Sequence, residues 1–142
     1  MLRIAGELAH GTATWMTGLA TLANHVVPTI SAAAEAAGRS APRILSAVPI
    51  ALASNSEVAR TACNQVFAIY GRLPSYRAML DREGAEHPGD LALVGDEATL
   101  RAGLGRYRDA GVTDFAASVF AAEAGASERT LAFLKAERES WR

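Results

Sequence analysis

Apolar positions along the chain alternate between two spacings. Leu2, Ile4, Ala5 and Leu8 recur at helical intervals over residues 1–9. Leu22, Val26, Ile30, Ala33 and Ala37 recur three or four apart over residues 19–37, the stripe of a helix resting one face on a core. Between them, residues 12–16 form a β-branched and aromatic run of strand length. Pro28 predicts a kink in the long helix. Residues 43–53, RILSAVPIALA, are almost uninterruptedly apolar, as expected of a parallel strand covered on both faces. Pro49 lacks a ladder donor and so predicts an edge, a bulge or a strand end nearby.

Past that strand, Ser54 with Glu57 reads as a capping box opening a helix to about Tyr70. Residues 75–83 read as a second short helix and 84–90 as a loop. Residues 91–95 are either a very short strand or the apolar lead into a helix capped by Asp96, which carries Leu100, Leu104 and Tyr107 inward. Gly111 suits the left-handed position just past that helix, and an apolar run over residues 113–120 follows as a strand. Ser127 is the expected cap of a last helix over residues 128–141, with Leu131, Leu134 and Arg138 on its inner face.

Helix, strand, helix, strand, helical excursion, helix, strand, helix is the order of an α/β protein with parallel strands and right-handed crossovers. Residues 1–142 read as one domain, since no linker or low-complexity stretch divides them. Residues 54–90 are too long for a simple crossover and form a helical insertion after the second predicted strand.

Composition narrows the chemistry. A net charge of −1 and the absence of any run of like charges give no nucleic-acid surface. No stretch reaches 18 apolar residues and no signal-peptide pattern opens the chain, so neither a membrane nor export is expected, and the single Cys63 fits a reducing cytoplasm. No Ser, His and Asp cluster, phosphate-loop pattern or metal-ligand spacing occurs. His25 and His87 read as surface or satisfied histidines, and Cys63 as a small packed residue.

Five stretches together carry a resemblance: MLRIAGELAHGTATWMTG, LANHVVPTISAAAEAAGR, the apolar strand with its SNSEVAR helix start, LPSYRAMLDREG, and LALVGDEATLRAGLGRYRDAGVTDF. In this order and spacing the chain resembles the C-terminal part of the luciferase-like monooxygenase superfamily, in particular its actinobacterial deazaflavin (coenzyme F420) dependent oxidoreductases. The resemblance implies a (β/α)8 TIM barrel, with residues 12–16, 43–53 and 113–120 as its sixth, seventh and eighth strands. It also implies that about five strands and four helices of a whole enzyme precede Met1. One departure is His10, where the family commonly carries an aspartate; it falls on the face away from the site and bears on stability.

Barrel enzymes build their sites at the C-terminal ends of the strands. The resemblance therefore implies a cofactor lined by Trp15, Met16, Thr17 and Gly18 after one strand and by Ser118 and Phe120 at another. The Thr17 hydroxyl, the Gly18 amide and the helix N-terminus at Leu19 would meet the phosphate-bearing tail. Arg72, Tyr76 and Arg77 form a basic and aromatic group near these loops, and a solvated face is the favoured reading for them. The implied reaction is hydride transfer between F420 and an organic small-molecule substrate, or monooxygenation with FMN as the alternative cofactor. The family's acid or base comes mainly from the first strands, so no catalytic residue is assigned. A different class of reading is a non-catalytic, self-associating fragment: three parallel strands leave open edges and an uncovered face, and a homo-oligomer is the expected escape.

Overall fold

The computed structural model describes residues 1–141. Its elements run α1 (Leu2–Leu8), β1 (Gly11–Trp15), α2 (Leu19–Thr21), a π-turn (Leu22–Val26), α3 (Val27–Ala36), β2 (Arg43–Leu52), α4 (Ser56–Val66), α5 (Pro74–Glu83), β3 (Leu93–Gly95), α6 (Glu97–Asp109), β4 (Asp114–Val119) and α7 (Ala126–Glu137). Short 3-10 turns follow α4, α5 and α7. The four strands form one parallel sheet in which β1, β3 and β4 all pair with β2.

That arrangement follows from how a strand divides its donors. Alternate residues of β2 turn their backbone groups to opposite edges. Ala47 O accepts from Met16 N, and Ala53 N donates to Gly95 O, so the odd-numbered residues face β1 and β3. Ile44 O accepts from Thr113 N, and Ile50 O from Phe120 N, so the even-numbered ones face β4. β1 pairs with residues 43–47 and β3 with residues 50–52 along the same edge. Pro49 falls between them, where its missing donor would have met neither partner. The proline expected at an edge or strand end thus sits in the central strand, at the point where one neighbour has ended and the next has not begun.

Side chains divide by face with the same period. Ile44 and Val48 pack with Leu22, Val26, Ile30, Tyr107 and Val112, and Ile50 packs with Leu100, Leu104 and Phe133; this is the helix-covered face. The opposite face carries Ala13, Leu45, Ala47, Ala116 and Ser118, which are exposed or half-buried. Toward the strand ends, Ala51 and Ala53 are buried beneath Ala59 and Cys63 of α4. The long apolar strand is therefore covered on both faces only at its C-terminal end.

Several local expectations are corrected. Asn55, not Ser54, caps α4, its side chain accepting from the amides of Glu57 and Val58. Ser54 instead donates to Glu123, because its backbone amide also faces that carboxylate. Helix α4 ends at Val66 rather than near Tyr70. Residues 91–95 yield a true short strand at Leu93–Gly95. In α3 the buried alanine is Ala34, while Ala37 is exposed. Pro28 is accommodated by the π-turn before it: Val27 N bonds to Leu22 O, one residue further back than in an α-helix, which lengthens the turn whose carbonyl the proline ring would strike.

Helix α7 is capped by Gly125 in a left-handed conformation, with Ser127 already inside the helix. Its inward side chains are Ala126, Thr130 and Phe133, and Leu131 is 50% exposed. The reason is a polar one. The Thr130 hydroxyl is fully buried, donates to Ala126 O and accepts from Leu52 N at 2.8 Å, so it completes β2 past the end of β4. The expected cap at Asp96, which accepts from Thr99 N, the burial of Leu100, Leu104 and Tyr107, and the positive φ of Gly111 are all present.

Thr130→Val keeps the volume and leaves Leu52 N–H buried without an acceptor, so urea unfolding is expected to register a loss of about 1–3 kcal/mol. At the other end of the sheet, Arg43 and then Thr113 hydrogen-bond Asp114 and hold its carboxyl below the ordinary carboxylate range. A depressed carboxylate stabilises the fold above its unfolded value and ceases to as pH falls through its folded value. Asp114→Asn is accordingly expected to lose stability relative to the native chain at neutral pH, with the difference vanishing under strongly acidic conditions.

Candidate functional site

The C-terminal ends of β1, β2 and β4 meet beneath the insertion, residues 54–90. β1 ends on Trp15, whose side chain shares the open face with Ala47, its register partner. Phe67 and Tyr70, from the turn after α4, approach the Trp15 ring edge-on at 5.6 and 5.7 Å. Phe67 also meets Phe120 at 6.2 Å, and Tyr70 meets Tyr76 at 4.7 Å. The insertion thus lays an aromatic layer over the strand ends, and the sequence reading had not joined Phe67 or Tyr70 to Trp15. Their separation by about 50 positions hides the contact; the signal available was the aromatic spacing at the end of a helix that returns to the sheet.

Trp15 Nε1–H is buried with no acceptor. An indole nitrogen can only donate, and an unpaired buried donor costs about 1–3 kcal/mol. On the same face of the sheet, Ala47, Ala116 and Ser118 present small, half-buried side chains, with Ala116 opposite Ala47 and Ser118 opposite the fully buried Pro49 in register. This combination, a flat floor, an aromatic wall and a donor awaiting an acceptor, suits a planar heteroaromatic ring with carbonyl oxygens.

Met16 stands at φ +52°, the left-handed region that a non-glycine residue rarely occupies. Its side chain is 2% exposed and packs with Leu80 of α5 and Leu91. Packing holds the strained backbone, which turns the chain from β1 into Thr17 and Gly18. Both of these are buried. The helix start that follows is not open: Glu83, the last residue of α5, accepts from Ala20 N at 2.9 Å and from Thr21 N and Thr21 Oγ1 at 2.7 Å. At the turn where the phosphate tail was expected, a carboxylate of the chain itself takes the amides of Ala20 and Thr21 and lies against Gly18.

The six expected residues divide accordingly. Trp15, Ser118 and Phe120 gather on the open face or its aromatic cover, whereas Met16, Thr17 and Gly18 form the buried turn behind it. A cavity of about 400 Å³ borders Gly18, Glu83, Arg60, Arg106 and Tyr107, but it lies outward, between α2 and α6. Arg77 is a clamp within the insertion, bonded to Asp81, Ala85 O and Glu86 O. Burial pushes the Cys63 thiol up to about 12, so it stays protonated and unreactive at neutral pH. Among the described residues no group of His, Cys, Asp and Glu could hold a metal ion, and no helix is long and apolar enough to cross a membrane.

Comparison with known proteins agrees with this architecture. A family model described as luciferase-like monooxygenase matches residues 1–114. Three solved structures superpose on the chain. One is the coenzyme F420 dependent tetrahydromethanopterin reductase from Methanopyrus kandleri, at 19% identity and TM-score 0.76, covering 100% of this chain and 48% of that one. A second is an F420-dependent secondary alcohol dehydrogenase in complex with an F420–acetone adduct, at 13% identity and TM-score 0.69, covering 99% and 46%. The third is the oxygenating constituent of 3,6-diketocamphane monooxygenase, a type II Baeyer–Villiger monooxygenase from the CAM plasmid of Pseudomonas putida, in complex with FMN, at 19% identity and TM-score 0.65, covering 94% and 43%. The chain thus spans about half the length of each. No curated protein matches it by sequence.

Two opposing contributions meet at Met16. Replacing it by glycine removes backbone strain of about 1–2 kcal/mol, and it also removes a buried side chain worth about 2–5 kcal/mol. Packing outweighs strain, so Met16→Gly is expected to lower the urea midpoint rather than raise it.

Proposed function

Because the chain belongs to the luciferase-like monooxygenase family, we propose that it is the C-terminal part of a deazaflavin (F420) dependent oxidoreductase that transfers a hydride to or from a small organic substrate. The observation that carries the reading is the buried, unpaired Trp15 Nε1–H beside a floor of small side chains at the strand ends. Two of the structural neighbours are named for F420, which is consistent with this cofactor, and a third is in complex with FMN.

When bound, the deazaflavin supplies the hydride chemistry. This chain's residues supply position and dryness. Trp15 walls the ring and offers its Nε1–H to a ring acceptor, and the Ser118 hydroxyl offers a second polar contact at the edge of the floor. Ala47 and Ala116, small and half-buried, leave room for a planar group to lie close to the sheet. Phe120, held edge-on by Phe67, keeps water from the strand ends. The remaining strands of a whole barrel would supply the other wall and the proton-transfer group.

Titration of the chain with F420, followed by tryptophan and deazaflavin fluorescence, tests the reading. Saturable binding is expected, weakened about tenfold in Trp15→Ala, the size of one lost aromatic contact. Saturable binding of FMN with none of F420 would instead establish the monooxygenase branch, which the diketocamphane neighbour favours. The half-buried open face favours one further reading, a self-associating fragment without catalysis. Sedimentation revealing a stable oligomer that binds neither cofactor would carry that one.

A further inference from the structure

The start of the helix after β1 has the properties of an anion site and already contains an anion. Ala20 N, Thr21 N and Thr21 Oγ1 converge on the Glu83 carboxylate. Both carboxylate oxygens are engaged, Oε1 by Ala20 and Oε2 by Thr21, in the two-oxygen manner of a bound phosphate at a helix N-terminus. Thr21 is 2% exposed, so its hydroxyl is sealed against this one acceptor. A Cβ at Gly18 would lie 2.1 Å from Glu83 Cδ, so this turn can accommodate the carboxylate only with glycine there. Three residues before Glu83, Leu80 is buried against Met16 and Leu91, and Gly84 at φ +76° ends α5 immediately after it. The helix is thereby fixed at one end by an apolar contact to the strained Met16 and by a charged contact to the turn that follows.

We propose that Glu83 is the built-in occupant of this helix start. It closes the turn at Thr17 and Gly18 to phosphate, and it fixes the insertion across the strand ends. The cofactor reading enters only in naming phosphate as the excluded anion. A phosphate-bearing ligand is then selected by its ring, with its tail held away from this turn. Removing the carboxylate does two separable things: it frees the amides of Ala20 and Thr21, and it releases α5 from the turn.

Amide NMR of the full chain under titration with inorganic phosphate tests both. In the native chain the Ala20 and Thr21 amide resonances are expected to stay in place through excess phosphate. In Glu83→Ala they are expected to move saturably, and amide exchange over residues 74–90 to accelerate about tenfold or more, the loss of charge-assisted hydrogen bonds being felt as local opening. Glu83→Asp, which keeps the charge on a shorter arm, is expected to exclude phosphate while exchanging faster than the native chain. Saturable phosphate shifts at Ala20 and Thr21 in the native chain would overturn the proposal, and that arm requires no variant to fold. Unchanged exchange over residues 74–90 in Glu83→Ala would overturn the fixing role. Failure of F420 to bind would strike the cofactor reading and leave each of these outcomes intact.

Discussion

Every other strand in this fold is hydrogen-bonded to one strand, β2. β2 gives its odd-numbered backbone groups to β1 and then β3, and its even-numbered groups to β4 and then to the Thr130 hydroxyl. A strand in that position cannot leave a donor unpaired without cost, so its partners must hand over from one to the next along each edge. On the β4 edge the handover is made by a threonine reaching in from a helix. On the other edge it is made by a residue that has no donor to offer.

Family membership and fold agree, and the length of the chain sets their scope. Structures with TM-scores of 0.65 to 0.76 cover nearly all of it while less than half of each neighbour is used. What the chain contributes is one sector of a strand-end face: an indole donor, a small-residue floor and an insertion that roofs them with aromatic rings.

The architecture was legible because its signals are local and repeated. Periods of three to four and runs of strand length located each major helix and strand, and Gly111 and Asp96 marked boundaries that hold. Interactions joining distant residues were not legible. Ser54 and Asn55 are adjacent potential caps, and the choice between them depends on Glu123, far along the chain. Leu131 is a better core residue than Thr130 by hydropathy alone, yet the free donor of Leu52 selects the threonine. The same holds at the site. Trp15 and Phe120 are named by their place at strand ends, whereas Glu83 sits more than 60 residues from the helix start it occupies, and nothing in a polar stretch such as LDREG announces a helix cap.

Pro49 also acts as a register pin. A two-residue slip of β1 along β2 would preserve which side chains face the helices, and hydrophobic patterning alone would tolerate it. That slip would bring β1 alongside Pro49, where the missing donor leaves an acceptor of β1 unpaired. The proline thus rejects a slip toward the C-terminal end of β2 that burial alone would not detect, and it assigns β1 and β3 their separate lengths of the same edge.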